Sequence, residues 1–159
     1  DGLKTGHLDI SGYGLVGSAV RDGERRIIVL NGLNSISERA SEAQRVMRAA
    51  FVDFRTFTFA DAGAVVGQAD VWMGEQDKVD LTVDETLTGI VHLDSARQVR
   101  IFVEYKGPLH APVAAGQVVG DLVVEAPGLD TIRVPLKAKD AVAKKGLVAR
   151  ALVGLGLGG

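Results

Sequence analysis

Cysteine is absent from the 159 residues, which excludes a disulfide framework and a thiolate metal site and leaves the redox compartment open. A dominant charge is absent too. With 18 Lys and Arg against 20 Asp and Glu, the formal net charge is -2. No polycationic surface exists to grip phosphate backbones, and nucleic acid is not an expected partner. Aromatic residues make up 5% of the chain, with one tryptophan, Trp72. No second His or carboxylate stands at ligand spacing from His7, and no metal is expected there. No hydrophobic run approaches the length of a transmembrane helix. The first residue is Asp1, and no signal-like segment precedes the first strand pattern. A natural terminus rarely abuts a core strand, so the chain reads as a fragment cut inside a domain.

The 47% of hydrophobic residues are enough for a core, and their spacing changes along the chain. Residues 3–7 and 12–20 read as strands. Asp22-Gly23 supplies a positive-φ hairpin turn, and residues 25–30 resume a β-branched run. Ser35-Ile36-Ser37-Glu38 fits a capping box. In the helix predicted after it, Ala40, Ala43, Val46, Met47, Ala50, Phe51 and Phe54 share one face, read as a core face against the sheet.

After Phe59 short β-rich runs broken by Gly take over, at 64–66, 69–73, 79–83, 88–93, 98–105 and 118–125. These runs predict a second, all-β module, with Trp72 in its sandwich core. Between residues 137 and 150 there are five Lys or Arg and one Asp, followed by a Leu- and Gly-rich end. Val148, Leu152 and Leu155 would share a helical face in such a basic amphipathic tail, although its glycines weaken a helix.

The residues with chemical interest stand at the start. Lys4-Thr5-Gly6 is a weak signal alone, since Lys4 taken singly reads better as a solvated edge-strand lysine that discourages aggregation. Its context is Asp1-Gly2-Leu3-Lys4-Thr5-Gly6-His7, then Ser11-Gly12-Tyr13, Ser18-Ala19-Val20-Arg21, the hairpin and the helix bearing Arg39. This run closely resembles the end of the catalytic domain of low-molecular-mass penicillin-binding proteins, the serine D-alanyl-D-alanine carboxypeptidases. The later module resembles that family's C-terminal domain, notably at Ala111-Pro112-Val113-Ala114-Ala115-Gly116-Gln117-Val118-Val119-Gly120.

The resemblance implies an α+β piece of a penicillin-binding/β-lactamase-like catalytic domain, antiparallel strands plus a helix, followed by a small all-β sandwich-like domain. The expected boundaries are 1–55 for the catalytic piece, 56–62 for a linker, 63–137 for the β domain and 138–159 for the tail. It implies that Lys4 is catalytic, as cation and proton-relay partner. Thr5 contributes a hydroxyl, Gly6 close backbone approach, His7 a backbone N–H to the oxyanion hole, and Arg39 a contact to the substrate carboxylate.

The implied partners are peptidoglycan stem peptides and β-lactams. No cofactor or metal is implied. The location would be periplasmic, with peripheral contact to the inner membrane through 138–159 as an added option. One departure is decisive for activity. Neither Ser-x-x-Lys nor Ser-x-Asn occurs anywhere in the chain, so the nucleophile, its base and the second serine are expected upstream and the piece alone is expected to be inactive. The rival readings are a non-enzymatic β-sandwich interaction module and a same-fold endopeptidase or β-lactamase.

Overall fold

The computed structural model describes residues 2–146. The chain divides into two units. One comprises the residues up to Arg55 together with Ile90–Asp94, the other Thr56–Gly89 with the residues from Ser95 onward.

The first unit is built on a meander of three antiparallel strands, β1 (Gly2–Leu8), β2 (Gly12–Arg21) and β3 (Glu24–Leu33), hydrogen-bonded in that order. Asp22 (φ 52) and Gly23 (φ 81) make the β2–β3 turn. Consecutive positive φ values give the backbone twist that a tight hairpin needs, and Asp-Gly tolerates them. Helix α1 (Ile36–Val52) follows and packs on β2 and β3.

The Ser35 hydroxyl caps α1 by accepting the Glu38 N–H at 3.0 Å. The return arm differs from a standard capping box. Glu38 Oε2 accepts from the Asn34 backbone and side-chain amides, at 2.6 and 3.0 Å, one residue upstream of the cap. Near the other end of α1, Arg26 of β3, only 9% exposed, donates Nε to the Ala50 carbonyl at 3.2 Å. Its guanidinium also lies over Phe51 and pairs with Glu24 at 2.6 Å. One side chain thus satisfies a helix-end carbonyl and ties strand to helix.

Two details of the predicted helical stripe are corrected. Phe54 lies beyond the helix and opens a strand, and no residue of α1 is buried. The stripe is a half-covered face, since Ala43, Met47 and Phe51 line an open groove of 540 Å³ with Leu3, Leu15 and Ile28.

Strands β4 (Phe54–Ala60) and β7 (Leu87–His92) form a two-stranded sheet. Most of residues 56–62, expected as a linker, therefore lies in a strand. The second unit adds β5 (Val65–Trp72), β6 (Lys78–Thr82), β8 (Arg100–Tyr105), β9 (Leu109–His110), β10 (Val118–Ala126) and β11 (Leu129–Ala138). They make one six-stranded sheet in the order β8-β10-β11-β6-β5-β9.

The sheet folds over on itself rather than forming two separate sheets. A Cβ at Gly67 of β5 would come within 2.7 Å of the Val103 side chain on β8. The core fills this fold with Ala69, Val71, Val79, Leu81, Val83, Leu122, Leu136, Ala138 and Val142. Gly120 is required by close approach, since a Cβ there would stand 2.3 Å from the Glu104 carbonyl oxygen.

Strand β11 has no counterpart in the predicted runs, because Pro135 and alternating charges obscure it. Trp72 is corrected from core to surface, being 48% exposed. Of the tail expected at 138–159, residues 138–146 run along the β domain, with Ala138 and Val142 in its core, and residues 147–159, with Val148, Leu152 and Leu155, lie outside the described residues.

Candidate functional site

Among the described residues β1 is an outer strand, paired only with β2. One of its edges therefore leaves backbone N–H and C=O groups without strand partners, a template to which an extended peptide can add. The register places Lys4 opposite Val16, Thr5 opposite Leu15, Gly6 opposite Gly14 and His7 opposite Tyr13. Because side chains alternate along a strand, Thr5 and His7 share the sheet face that carries α1, while Lys4 lies on the other.

Arg39, in the first turns of α1, reaches the same strand. Its Nη1 donates to the Gly6 carbonyl in a long hydrogen bond of 3.5 Å, and its guanidinium lies over the Tyr13 ring at 5.6 Å. The His7 and Tyr13 rings stack with centroids 4.1 Å apart. Glu42, a turn further on, is engaged by Arg45 at 2.6 Å. That hydrogen bond holds the Glu42 carboxyl below its ordinary range.

Lys4 is exposed and donates Nζ to the Thr5 carbonyl at 3.0 Å. Its face of the sheet carries a 390 Å³ groove whose lining includes Lys4, Gly6, Gly14, Val16, Val29 and Asn31. Gly6 is open, with no atom within 4 Å of a built Cβ. A side chain there would project into the space beside the strand.

The structure thus brings Thr5, Gly6, His7 and Arg39 together around one strand edge and places Lys4 across the sheet plane from Thr5. The arrangement offers a planar guanidinium able to take a carboxylate through two N–H groups, a hydroxyl on the same sheet face, and an ammonium on the opposite side. Tyr13 belongs to this cluster and was not singled out from sequence. The signal was available, since a short link after Leu8 pairs residue 13 with residue 7. Among the described residues no group of three or more His, Asp or Glu could hold a metal ion, and no helix is long and apolar enough to cross a membrane.

Comparison with known proteins bears on both units. The family model described as "Penicillin-binding protein 5, C-terminal domain" matches residues 54–144, more than half of the chain. The chain is 32% identical over 154 residues to a D-alanyl-D-alanine carboxypeptidase DacD of Salmonella typhimurium, and 28% identical over 154 residues to a D-alanyl-D-alanine carboxypeptidase DacA of Haemophilus influenzae. Each alignment covers 94% of this chain and 39% of the relative. The chain thus spans about two fifths of the length of these curated relatives.

Among solved structures it resembles the D-alanyl-D-alanine carboxypeptidase DacD of Francisella tularensis, with TM-score 0.69 and 29% identity, covering 91% of this chain and 37% of that one. It also resembles penicillin-binding protein 5 of Haemophilus influenzae, with TM-score 0.62 and 29% identity, covering 89% and 42%.

Proposed function

Since the chain belongs to the penicillin-binding protein 5 C-terminal domain family, we propose that it is part of a serine-type D-alanyl-D-alanine carboxypeptidase that removes the terminal D-alanine of peptidoglycan pentapeptide stems. The observation that carries this reading is the Lys4-Thr5-Gly6 strand lying at a free sheet edge with Arg39 beside it. The extensive similarity of the chain to carboxypeptidases supports it.

In this proposal the residues up to 55 complete a catalytic domain whose nucleophilic serine and lysine base lie upstream. The β domain lies beyond it, beginning within strand β4. The sheet face opposite α1 supports a larger catalytic body. It exposes Val16, Ile27 and Val29, the last 71% exposed, an apolar surface suited to burial against another layer.

The stem peptide would add to β1 as an extra strand, its terminal carboxylate meeting Arg39 and the Thr5 hydroxyl. The serine Oγ would attack the penultimate carbonyl carbon. The developing oxyanion would accept the His7 backbone N–H, and the amine of the leaving D-alanine would take a proton relayed with the help of Lys4. Water then releases the acyl group. A β-lactam carbonyl with its neighbouring carboxylate presents the same features, so penicillin would bind as a substrate mimic. No cofactor or metal takes part in this sequence. The location proposed is the periplasm, with the part of the chain beyond residue 146 touching the inner membrane.

Labelling with a fluorescent penicillin tests the proposal. The full-length parent should label covalently, and this chain alone should not. In the parent, Lys4→Ala should slow acylation by on the order of a hundredfold while circular dichroism remains unchanged. Labelling of this chain alone would place the nucleophile elsewhere than proposed. Wild-type acylation by a folded Lys4→Ala parent would return Lys4 to the role of an ordinary edge-strand residue.

A further inference from the structure

Tyr13 stands opposite His7 in the β1–β2 register, on the sheet face that carries α1. Its direction is set by a break in the neighbouring ladder. Between Leu30 and Leu33, the partners of Leu15 and Tyr13, strand β3 carries one extra residue. A bulge of this kind bends the strand and re-aims the side chains beside it. Gly12 makes room for the bend, since a Cβ there would stand 2.6 Å from the Leu33 carbonyl oxygen.

The ring so aimed meets two groups of the proposed site. The Arg39 guanidinium lies over it, 5.6 Å from its centre, inside the reach of about 6 Å at which an aromatic face attracts a cation. The His7 imidazole stacks against it at 4.1 Å, with the planes tilted by 30°. The other contact of Arg39 with this sheet is weaker, because its hydrogen bond to the Gly6 carbonyl is 3.5 Å long. Tyr13 is therefore the firmer of the two supports. Both are uncharged, so they hold the guanidinium without neutralising it. A carboxylate in their place would compete with a carboxylate ligand for the same N–H groups.

We infer that Tyr13 is a positioning residue of this site: its ring, backed by His7, is the floor that holds Arg39 over β1 in the orientation that receives the terminal carboxylate of the peptide. The inference rests on the carboxypeptidase reading and gives a role to a residue which that reading leaves out. Both contacts are made by the ring, so the hydroxyl has no part in it.

The full-length parent would be assayed for release of the last residue from two peptides, one ending in D-alanyl-D-alanine with a free carboxylate and the other in the corresponding C-terminal amide. Wild type should prefer the acid. Tyr13→Leu should raise KM for the acid about tenfold with kcat little changed and leave the amide unaffected. The acid-to-amide ratio of kcat/KM should thus fall toward that of Arg39→Ala, and Tyr13→Phe, which keeps the ring, should retain the wild-type ratio. The ratio does not depend on the folded fraction, so partial unfolding of a variant cannot imitate the effect. A Tyr13→Leu enzyme that keeps the wild-type ratio while Arg39→Ala loses it would overturn the inference and leave the carboxypeptidase reading standing. Tyr13→Phe as impaired as Tyr13→Leu would overturn it in favour of the hydroxyl. An unchanged ratio in Arg39→Ala would remove the carboxylate contact and the inference together. A wild-type parent that releases D-alanine from neither peptide would overturn the carboxypeptidase reading itself.

Discussion

The two units satisfy their apolar surfaces in opposite ways. In the second, a folded sheet encloses its own side chains, so Ala69, Leu81 and Leu136 retain no exposure. In the first, a three-stranded sheet has α1 on one face and, among the described residues, open surface on the other. Leu15 and Ile28 under the helix are the best-covered hydrophobic residues of the sheet, each 6% exposed. The difference is geometric rather than compositional. Strand β5 can approach β8 because Gly67 has no side chain, and that closure supplies both walls of a core. Unit one has no second layer among the described residues to do the same for Val16, Ile27 and Val29. A unit of that kind gains stability by being covered, whereas a self-closed unit needs no cover.

The largest effect should come from a cavity in the closed core. Leu122→Ala deletes a side chain that is 1% exposed and should cost about 2–5 kcal/mol, because the surrounding strands cannot collapse into the space. Leu15→Ala, beside an open groove, should cost only about 1–2 kcal/mol. Urea unfolding followed by tryptophan emission reports the second unit, and helical circular dichroism reports the first. Leu122→Ala should shift the emission midpoint and leave the helical one nearly unchanged. Equal shifts in both signals would mean that the units unfold as one and that the contrast drawn between them has no thermodynamic content.

A local device of the first unit gives a smaller effect. Ser35→Ala removes the hydroxyl that accepts the Glu38 N–H and should cost about 1 kcal/mol, read in the helical signal alone. Asn34 and Glu38 remain bonded to each other, so the helix should shorten at its start rather than vanish. A loss as large as that of Leu122→Ala would show that α1 depends on its cap far more than on packing.

The distribution of these signals explains what could be read from sequence. The β1–β3 meander, the Asp22-Gly23 turn and the Ser35 cap are local, set by residues a few positions apart, and they appear where the patterns put them. Lys4, Thr5, Gly6 and His7 were named through the resemblance, and the structure places them consecutively on β1. Arg39 was legible only through resemblance, since its approach to Gly6 spans 33 positions. Tyr13 joins the cluster through strand register. Non-local facts were misread. Trp72 was assigned to a core because aromatic residues usually are, but strand order places its side chain beside His110 at the surface. The β11 run was missed because Asp130, Arg133 and Lys137 break the apolar pattern. Two of those charges are paired across the sheet, Arg133 with Glu104 at 2.6 Å and Lys137 with Asp84.

The smallest predicted effect separates surface charge from packing in the open unit. Glu42 and Arg45 pair at 2.6 Å on the solvent side of α1. The hydrogen bond from Arg45, reinforced by its charge, lowers the Glu42 pKa and raises that of Arg45. A carboxyl whose folded value lies below its unfolded one stabilises the fold at neutral pH. It loses that contribution as pH falls from about 5 through the folded value. The contribution of Arg45 runs the other way and is fully present below the unfolded arginine value, so it does not vary in this range. Glu42→Gln should therefore unfold slightly earlier than wild type at pH 7, in the helical signal only, and the two should converge at pH 3. The exposed position means the gap should also shrink in high salt. A gap that persists unchanged at pH 3 would show that Glu42 acts through helix packing or propensity instead of charge. The open unit would then owe less to its surface ion pair than its geometry suggests.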